Sequence, residues 1–229
     1  MTIARLQRTT LIDYPGKIAA TVFLAGCNFR CPWCYSKELV LPAEIRKQPK
    51  ILEKEFFDFL KKRKGLLEGI VLCGGEPTIN KDLPEFIKKI KELGYAVKID
   101  TNGSNPKMLK KLIDDNSIDY VAMDVKLPKE RYPEIFKEVK DIEESIKILK
   151  KSKIDSEFRT TVTPTVLKKE DIVKIAEWIG GPKVKYYLQN FRPEKTIDPK
   201  FEKIKPYPDE YLLEIQKAIS PFFEICQIR

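Results

Sequence analysis

Short runs rich in β-branched residues alternate along the chain with stretches whose apolar residues recur every three or four positions. IAATVFL (18–24), GIVLC (69–73), AVKID (96–100), YVAMD (120–124), SEFRTTVT (156–163) and VKYYLQ (184–189) read as strands. Between them, Ile51, Leu52, Phe56, Phe57 and Leu60 share one helical face, as do Leu83, Phe86, Ile87, Ile90 and Leu93. Met108, Leu109, Leu112 and Ile113 repeat that spacing, and Ile142, Ile146 and Leu149 continue it. Ile172, Ile175, Ala176 and Ile179 give a further helix, and Tyr211 to Ala218 the last. Strands that are each followed by a helix or a long excursion imply parallel pairing through right-handed crossovers. Six such units fall short of the eight of a closed barrel, so the expected class is α/β, an open or partial (β/α)6 barrel. One domain is expected over residues 1–229, with a core at about 15–192 and, over 193–229, a C-terminal helix and a final edge strand from PFFEICQIR. The Pro-rich segment 193–208 reads as a surface excursion.

Composition narrows the class. With 42% hydrophobic and 34% charged residues the chain reads as an ordinary soluble protein. No apolar run approaches the roughly 20 residues of a membrane span, and MTIARLQRTTLIDYPG offers no apolar signal segment, so a cytoplasmic location is expected. The net charge of +9 comes from lysines interleaved with Glu and Asp at helical spacing. That pattern reads as a solvated, heat-adapted surface rather than the footprint of a nucleic acid. Five cysteines, an odd number with three clustered, do not form a disulfide framework and point to metal or redox use. The absence of histidine removes Ser-His and Cys-His pairs, His-ligated zinc and any His general base.

The unusual residues fall after the strands. CNFRCPWC (27–34) follows the first, GGEPT the second, DTNG ends the third, MDVK the fourth and QNF the last. Functional sites of α/β barrels and sheets form outside the C-terminal ends of strands, so these stretches are expected on one rim. Three thiolates in CxxxCxxC can hold one face of a metal centre. A structural zinc site needs four ligands, and Cys73, on a neighbouring strand, could complete a set with Cys27, Cys31 and Cys34. The competing reading is a [4Fe-4S] cluster whose fourth iron is left open for a reactant.

The motif CxxxCxxC with an aromatic before its last cysteine, followed by GGEP after an apolar strand, resembles the radical S-adenosylmethionine (SAM) superfamily. TTLIDYPGK, GCNFRCPWC, GGEPT, DTNG, DVK, FRTTVTP and YYLQNFRP stand in the order found among glycyl-radical-enzyme activases, and are most similar to the activating proteins of anaerobic ribonucleoside-triphosphate reductases. The resemblance implies that Cys27, Cys31 and Cys34 ligate a [4Fe-4S] cluster and that SAM chelates the remaining iron through its amino and carboxylate groups. It implies reductive cleavage of SAM to a 5′-deoxyadenosyl radical, a glycyl-radical enzyme as protein partner, and an external one-electron donor such as flavodoxin or ferredoxin.

Each site residue also has a plainer reading. Trp33 would pack against adenine or be a core aromatic. Gly74 and Gly75 let backbone approach a ligand, with Glu76 accepting a hydrogen bond from its ammonium, or GGEP is turn chemistry before a helix. Asp100 and Asp124 would repel unless a cation joined them, and the resemblance implies a monovalent cation near both, with Lys126 meeting the SAM carboxylate. Asp100 could otherwise cap a turn, and Asn102 with Gly103 is ordinary turn chemistry. Arg159 interrupts a strand and needs SAM or an acidic residue as partner, and Gln189 would bond ribose or adenine or be a surface amide. The pattern departs from the family at Tyr35-Ser36, where many activases have His-Asn, and at Cys73, which with Cys226 reads as a buried thiol. A radical SAM enzyme acting on a small molecule or RNA, and a non-catalytic zinc-binding adaptor, remain the alternatives.

Overall fold

In the computed structural model, which describes residues 1–229, the strand nearest the N-terminus is one that periodicity does not announce. β1 (Ile3–Thr10) runs antiparallel to β2 (Ala19–Leu24), and only its two end residues are buried. Its polar middle belongs to an edge, where Arg5 lies over the Phe23 ring at 4.0 Å. From β2 onward the expected alternation holds. β3 (Gly69–Gly74), β4 (Ala96–Thr101), β5 (Tyr120–Asp124), β6 (Asp155–Val162) and β7 (Gly181–Asn190) follow, and β8 (Phe223–Ile228) is the expected last strand. Strand order is chain order, and the pairs β2-β3, β3-β4, β6-β7 and β7-β8 are parallel. Each strand from β2 to β7 is followed by helix: α1 (Lys37–Val40), α2 (Pro42–Ile45) and α3 (Glu53–Lys62), then α4 (Leu83–Glu92), α5 (Pro106–Asp114), α6 (Val139–Lys151), α7 (Lys169–Ile179) and α8 (Asp209–Ile219).

The chain divides into two compact units: residues 1–28, 36–101 and 107–121, and residues 29–35, 102–106 and 122–229. In the first, β2 and β3 are apolar on both faces, as parallel strands covered by helices must be. Phe56 and Leu60 of α3 and Leu83, Phe86, Ile87 and Ile90 of α4 are buried, and Phe56 stacks on Phe86 at 5.3 Å. Leu52, expected on the buried face of α3, is instead 64% exposed, because the helix starts one residue later and Ile51 bridges to Ile3 of β1. In the second unit α6 and α7 bury the faces that their spacing predicts, and α8, expected over Tyr211 to Ala218, buries Leu212, Ile215 and Ile219. Segment 193–208 is more than a surface excursion. Thr196 is fully buried, and Ile197 and Asp198 donate backbone hydrogen bonds to Cys34 and Pro32, at 3.0 and 2.9 Å.

Candidate functional site

In the first unit the site residues sit where β2, β3 and β4 end. The chain leaves β2 through Gly26, whose φ of +100° only glycine adopts without strain, and reaches Cys27. Beside it, Gly75 donates to the Leu24 carbonyl at 2.8 Å and Glu76 to the Gly26 carbonyl at 2.7 Å. A Cβ on Gly75 would lie 1.8 Å from the Gly26 oxygen, and one on Gly74 2.5 Å from the Leu24 oxygen. The two glycines therefore let β3 lie against the backbone that carries Cys27, a role besides any approach to a ligand.

Glu76 is fully buried. Its Oε1 accepts from the Thr78 amide at 3.0 Å, the Thr78 hydroxyl at 2.5 Å and the Thr101 hydroxyl at 2.7 Å. The threonines fix the carboxylate and tie GGEPT to the end of β4. Asp100, two residues after Lys98 and on the same face of β4, takes the Lys98 ammonium on Oδ1. Lys98 is 1% exposed. Thr101 lies within DTNG but was not singled out there, and Lys98 is marked by no motif, although a lysine at alternate spacing from an aspartate inside an apolar strand is a readable signal. Cys73 is half-buried against the apolar cluster of Tyr14, Ala19, Val71 and Tyr120.

The second unit holds the rest of the cysteine loop. Cys34 N–H donates to the Cys31 carbonyl at 3.0 Å, closing a turn. Phe29 is buried against Phe136 at 4.8 Å, and Trp33 packs with Phe201 at 6.3 Å, so both aromatics anchor the loop as core residues do. Asn102 Oδ1 accepts from the Ser104 amide at 2.9 Å. Gly103, with φ +76°, packs so closely on Met123 that a Cβ would meet its methyl at 2.0 Å, so this stretch is the tight turn its composition suggests.

Asp124 is the electrostatic centre of this unit. Arg159 Nε donates to Oδ1 at 3.0 Å and Lys126 Nζ to Oδ2 at 3.2 Å, which answers the need of Arg159 for an acidic partner. Burial would raise the Asp124 pKa, but the two cations outweigh it and hold the carboxyl at about 2. Burial likewise disfavours charged Lys126, yet Asp124 and the thiols of Cys31 and Cys34 keep its pKa above the usual lysine value. Tyr132, buried, accepts the Lys126 amide at 3.0 Å, and burial pushes its phenol well up. Tyr35 is 52% exposed. Desolvation and Asp124 raise its pKa, while Arg159, Arg192 and Lys126 pull the other way. Gln189 is half-buried near the end of β7, beside Thr161 of β6.

No disulfide joins any of the five cysteines. The donor set fits an iron–sulfur cluster: three thiols on one loop, two of which, Cys31 and Cys34, interact electrostatically with the Lys126 ammonium.

A family model described as the radical SAM superfamily matches residues 21–179. A protein of Methanocaldococcus jannaschii, provisionally named a glycyl-radical enzyme activating enzyme, is 37% identical over 95% of this chain and 91% of its own length. A second protein of that organism, provisionally given the same name, is 27% identical over 87% of this chain and 80% of its own. Among solved structures, QueE from Escherichia coli superposes with a TM-score of 0.63 at 17% identity, covering 100% of this chain and 93% of that one. The expected α/β partial-barrel class is thus the one observed.

Proposed function

The chain belongs to the radical SAM superfamily, and on that premise we propose that it cleaves SAM reductively and directs the 5′-deoxyadenosyl radical at a glycine of a partner glycyl-radical enzyme, such as an anaerobic ribonucleotide reductase. It is a radical SAM enzyme, of a superfamily whose members use a [4Fe-4S] cluster and SAM. Cys27, Cys31 and Cys34 would hold the cluster, which when bound supplies one electron to the SAM sulfonium, so that one C–S bond breaks to give methionine and the 5′-deoxyadenosyl radical. That radical takes the hydrogen atom of the glycine Cα–H bond, leaving 5′-deoxyadenosine and a glycyl radical. The electron comes from an external one-electron donor, such as a flavodoxin or ferredoxin, in the cytoplasm.

The chain's own groups bind and aim. Glu76 accepts from an N–H of the SAM amino group, with its carboxylate fixed in advance by Thr78 and Thr101. Lys126 and Arg159, held by Asp124, meet the SAM carboxylate. Asp100, bonded to Lys98, and Asn102 are further proposed SAM contacts. Gln189 is assigned to the adenosine, and Trp33, packed on Phe201, to the wall behind it.

The observation that carries SAM cleavage is the three-cysteine loop, braced at Cys27 by the Gly74-Gly75 contact and at Cys31 and Cys34 by Phe29, Trp33 and residues 197–198. The protein target rests on the names of the two relatives, which align with this chain over most of their length. The test is anaerobic reconstitution with iron, sulfide, SAM and dithionite. 5′-Deoxyadenosine is measured by chromatography, and a glycyl doublet is sought by EPR after adding a glycyl-radical subunit. Stoichiometric zinc with no iron and no SAM cleavage would sink the enzyme reading. Efficient turnover of a small molecule or RNA, with persistent absence of the doublet, would replace the protein target.

A further inference from the structure

The side chain that decides what can sit at Asp100 is Lys98. The resemblance to activases implied a monovalent cation near Asp100 and Asp124. In the first unit, Lys98 and Asp100 project from one face of β4, and the Lys98 ammonium, 1% exposed, is bonded to Asp100 Oδ1. It also lies 5.9 Å from the centre of the Tyr120 ring, whose face favours a cation. An ammonium so far from water is stable only while partnered, so Asp100 is committed to it. A sodium or potassium ion on the same carboxylate would face a like charge where solvent does not screen it. In the second unit, Asp124 is equally committed, with Arg159 at 3.0 Å on one oxygen and Lys126 at 3.2 Å on the other. The chain's own cations therefore neutralise each carboxylate, on Oδ1 of Asp100 and on both oxygens of Asp124, and the residues do not fit a small-cation site.

We propose that Lys98 is the resident cation of this site: its ammonium takes the place of a monovalent ion and fixes Asp100 for SAM binding, so that the protein binds SAM without sodium or potassium. Lys98 is thus a positioning residue that acts through Asp100. The inference rests on the SAM-binding reading given under Proposed function and sharpens its requirements.

The test is equilibrium dialysis of labelled SAM against the anaerobically reconstituted protein, without reductant so that no turnover occurs. Potassium, sodium and choline buffers of equal ionic strength are compared. Wild-type Kd should agree within about twofold across the three, whereas Lys98→Met should weaken binding by about tenfold in choline, with partial recovery in potassium as the small ion enters the vacated place. Lys98→Arg, which keeps the charge, should stay within about threefold of wild type. A wild-type Kd that worsens by about tenfold on exchange of potassium and sodium for choline overturns the assignment, as does an unchanged Kd for Lys98→Met in choline. Because the buffer comparison uses wild-type protein, it can overturn the assignment even where Lys98→Met fails to fold, and Lys98→Gln then supplies the second variant. Absence of SAM binding in every buffer overturns the SAM reading itself, an outcome distinct from salt dependence.

Discussion

Replacing Gly75 by Ala tests whether the packing of β3 on the backbone of Gly26 holds the loop that carries Cys27. The new Cβ would lie 1.8 Å from the Gly26 carbonyl oxygen and 2.5 Å from its carbon. Since such contacts do not fall below 3.0 Å, the two backbones must part by about 1.2 Å, the difference of the two distances. Both partners are main chain, so no rotamer change relieves the clash. The Glu76 amide, 2.7 Å from the same oxygen, would move beyond hydrogen-bonding reach. Overpacking of about 1–3 kcal/mol and one lost hydrogen bond of about 0.5–1.5 kcal/mol give a destabilisation of roughly 2–4 kcal/mol. In a chain of 229 residues that lowers Tm by roughly 4–16 °C. Gly16→Ala is the control: nothing lies within 4 Å of its Cβ, and its φ of +72°, unlike that of Gly75, favours glycine, so it should bear only the backbone cost of about 1–2 kcal/mol. The assays are differential scanning calorimetry of the metal-free protein and iron per chain after reconstitution. Gly75→Ala should melt below Gly16→Ala and retain less iron. A Gly75→Ala protein that melts within about 1 °C of wild type and binds iron normally would refute the account of GGEP as a brace for the cysteine loop.

Cys31→Ala should bring 5′-deoxyadenosine to background and lower bound iron, while circular dichroism reports a folded chain; unchanged turnover would contradict its ligand role. Asp124 links stability to acid: its folded pKa of about 2 lies below the unfolded value of about 3.9, so its contribution is complete above that value and is lost as pH falls through about 2. Denaturant titrations between about pH 5 and 2 should show wild type losing on the order of 1–2 kcal/mol more than Asp124→Asn, after allowance for solvent screening of a carboxylate that is not fully enclosed. Equal slopes would remove Asp124 as the source. Across neutral pH, SAM affinity should follow only the α-amino group of SAM, which titrates at about 7.7–8.0 when free and binds iron as the neutral amine, because Asp124 titrates near 2 while Lys126 and Tyr132 are held above their ordinary values, and the chain has no histidine. A second step in a dialysis series would show that an unassigned protein group titrates on binding.

β2, β3 and β5 were legible because parallel strands under helices are apolar on both faces and leave continuous apolar runs, whereas β8, with no buried residue, was legible only as an edge strand. β1 was not, since an edge strand that buries only Ile3 and Thr10 reads as polar loop. Leu52 misled for a related reason: its spacing fits the face of α3, yet it precedes the helix and faces solvent. The segment after β7 looked like a surface excursion because prolines and lysines dominate it. Its function lies instead in main-chain bonds to Pro32 and Cys34 and in Phe201 beneath Trp33, contacts between stretches far apart in sequence that no local pattern records.

Motifs located the acidic groups but not what holds them. Thr78 stands within GGEPT and its bond to Glu76 is local, whereas Thr101 reaches the same oxygen only because β3 and β4 run in parallel register. Lys98 could have been found by applying the period of two to AVKID, which sets it beside Asp100. The common physical theme is that each strand-end carboxylate has donors in place before any ligand arrives: Glu76 two threonines, Asp100 a lysine, Asp124 an arginine and a lysine. Fixed charges of this kind lose little entropy on binding and need no proton transfer at neutral pH. They suit a reaction whose difficult step is an electron transfer supplied by a cofactor and whose remaining demand on the protein is to hold the sulfonium, its carboxylate and the radical in place. A chain without histidine is therefore well matched to this chemistry. The selectivity of the site lies in the placement of its ion pairs rather than in any acid or base that changes state.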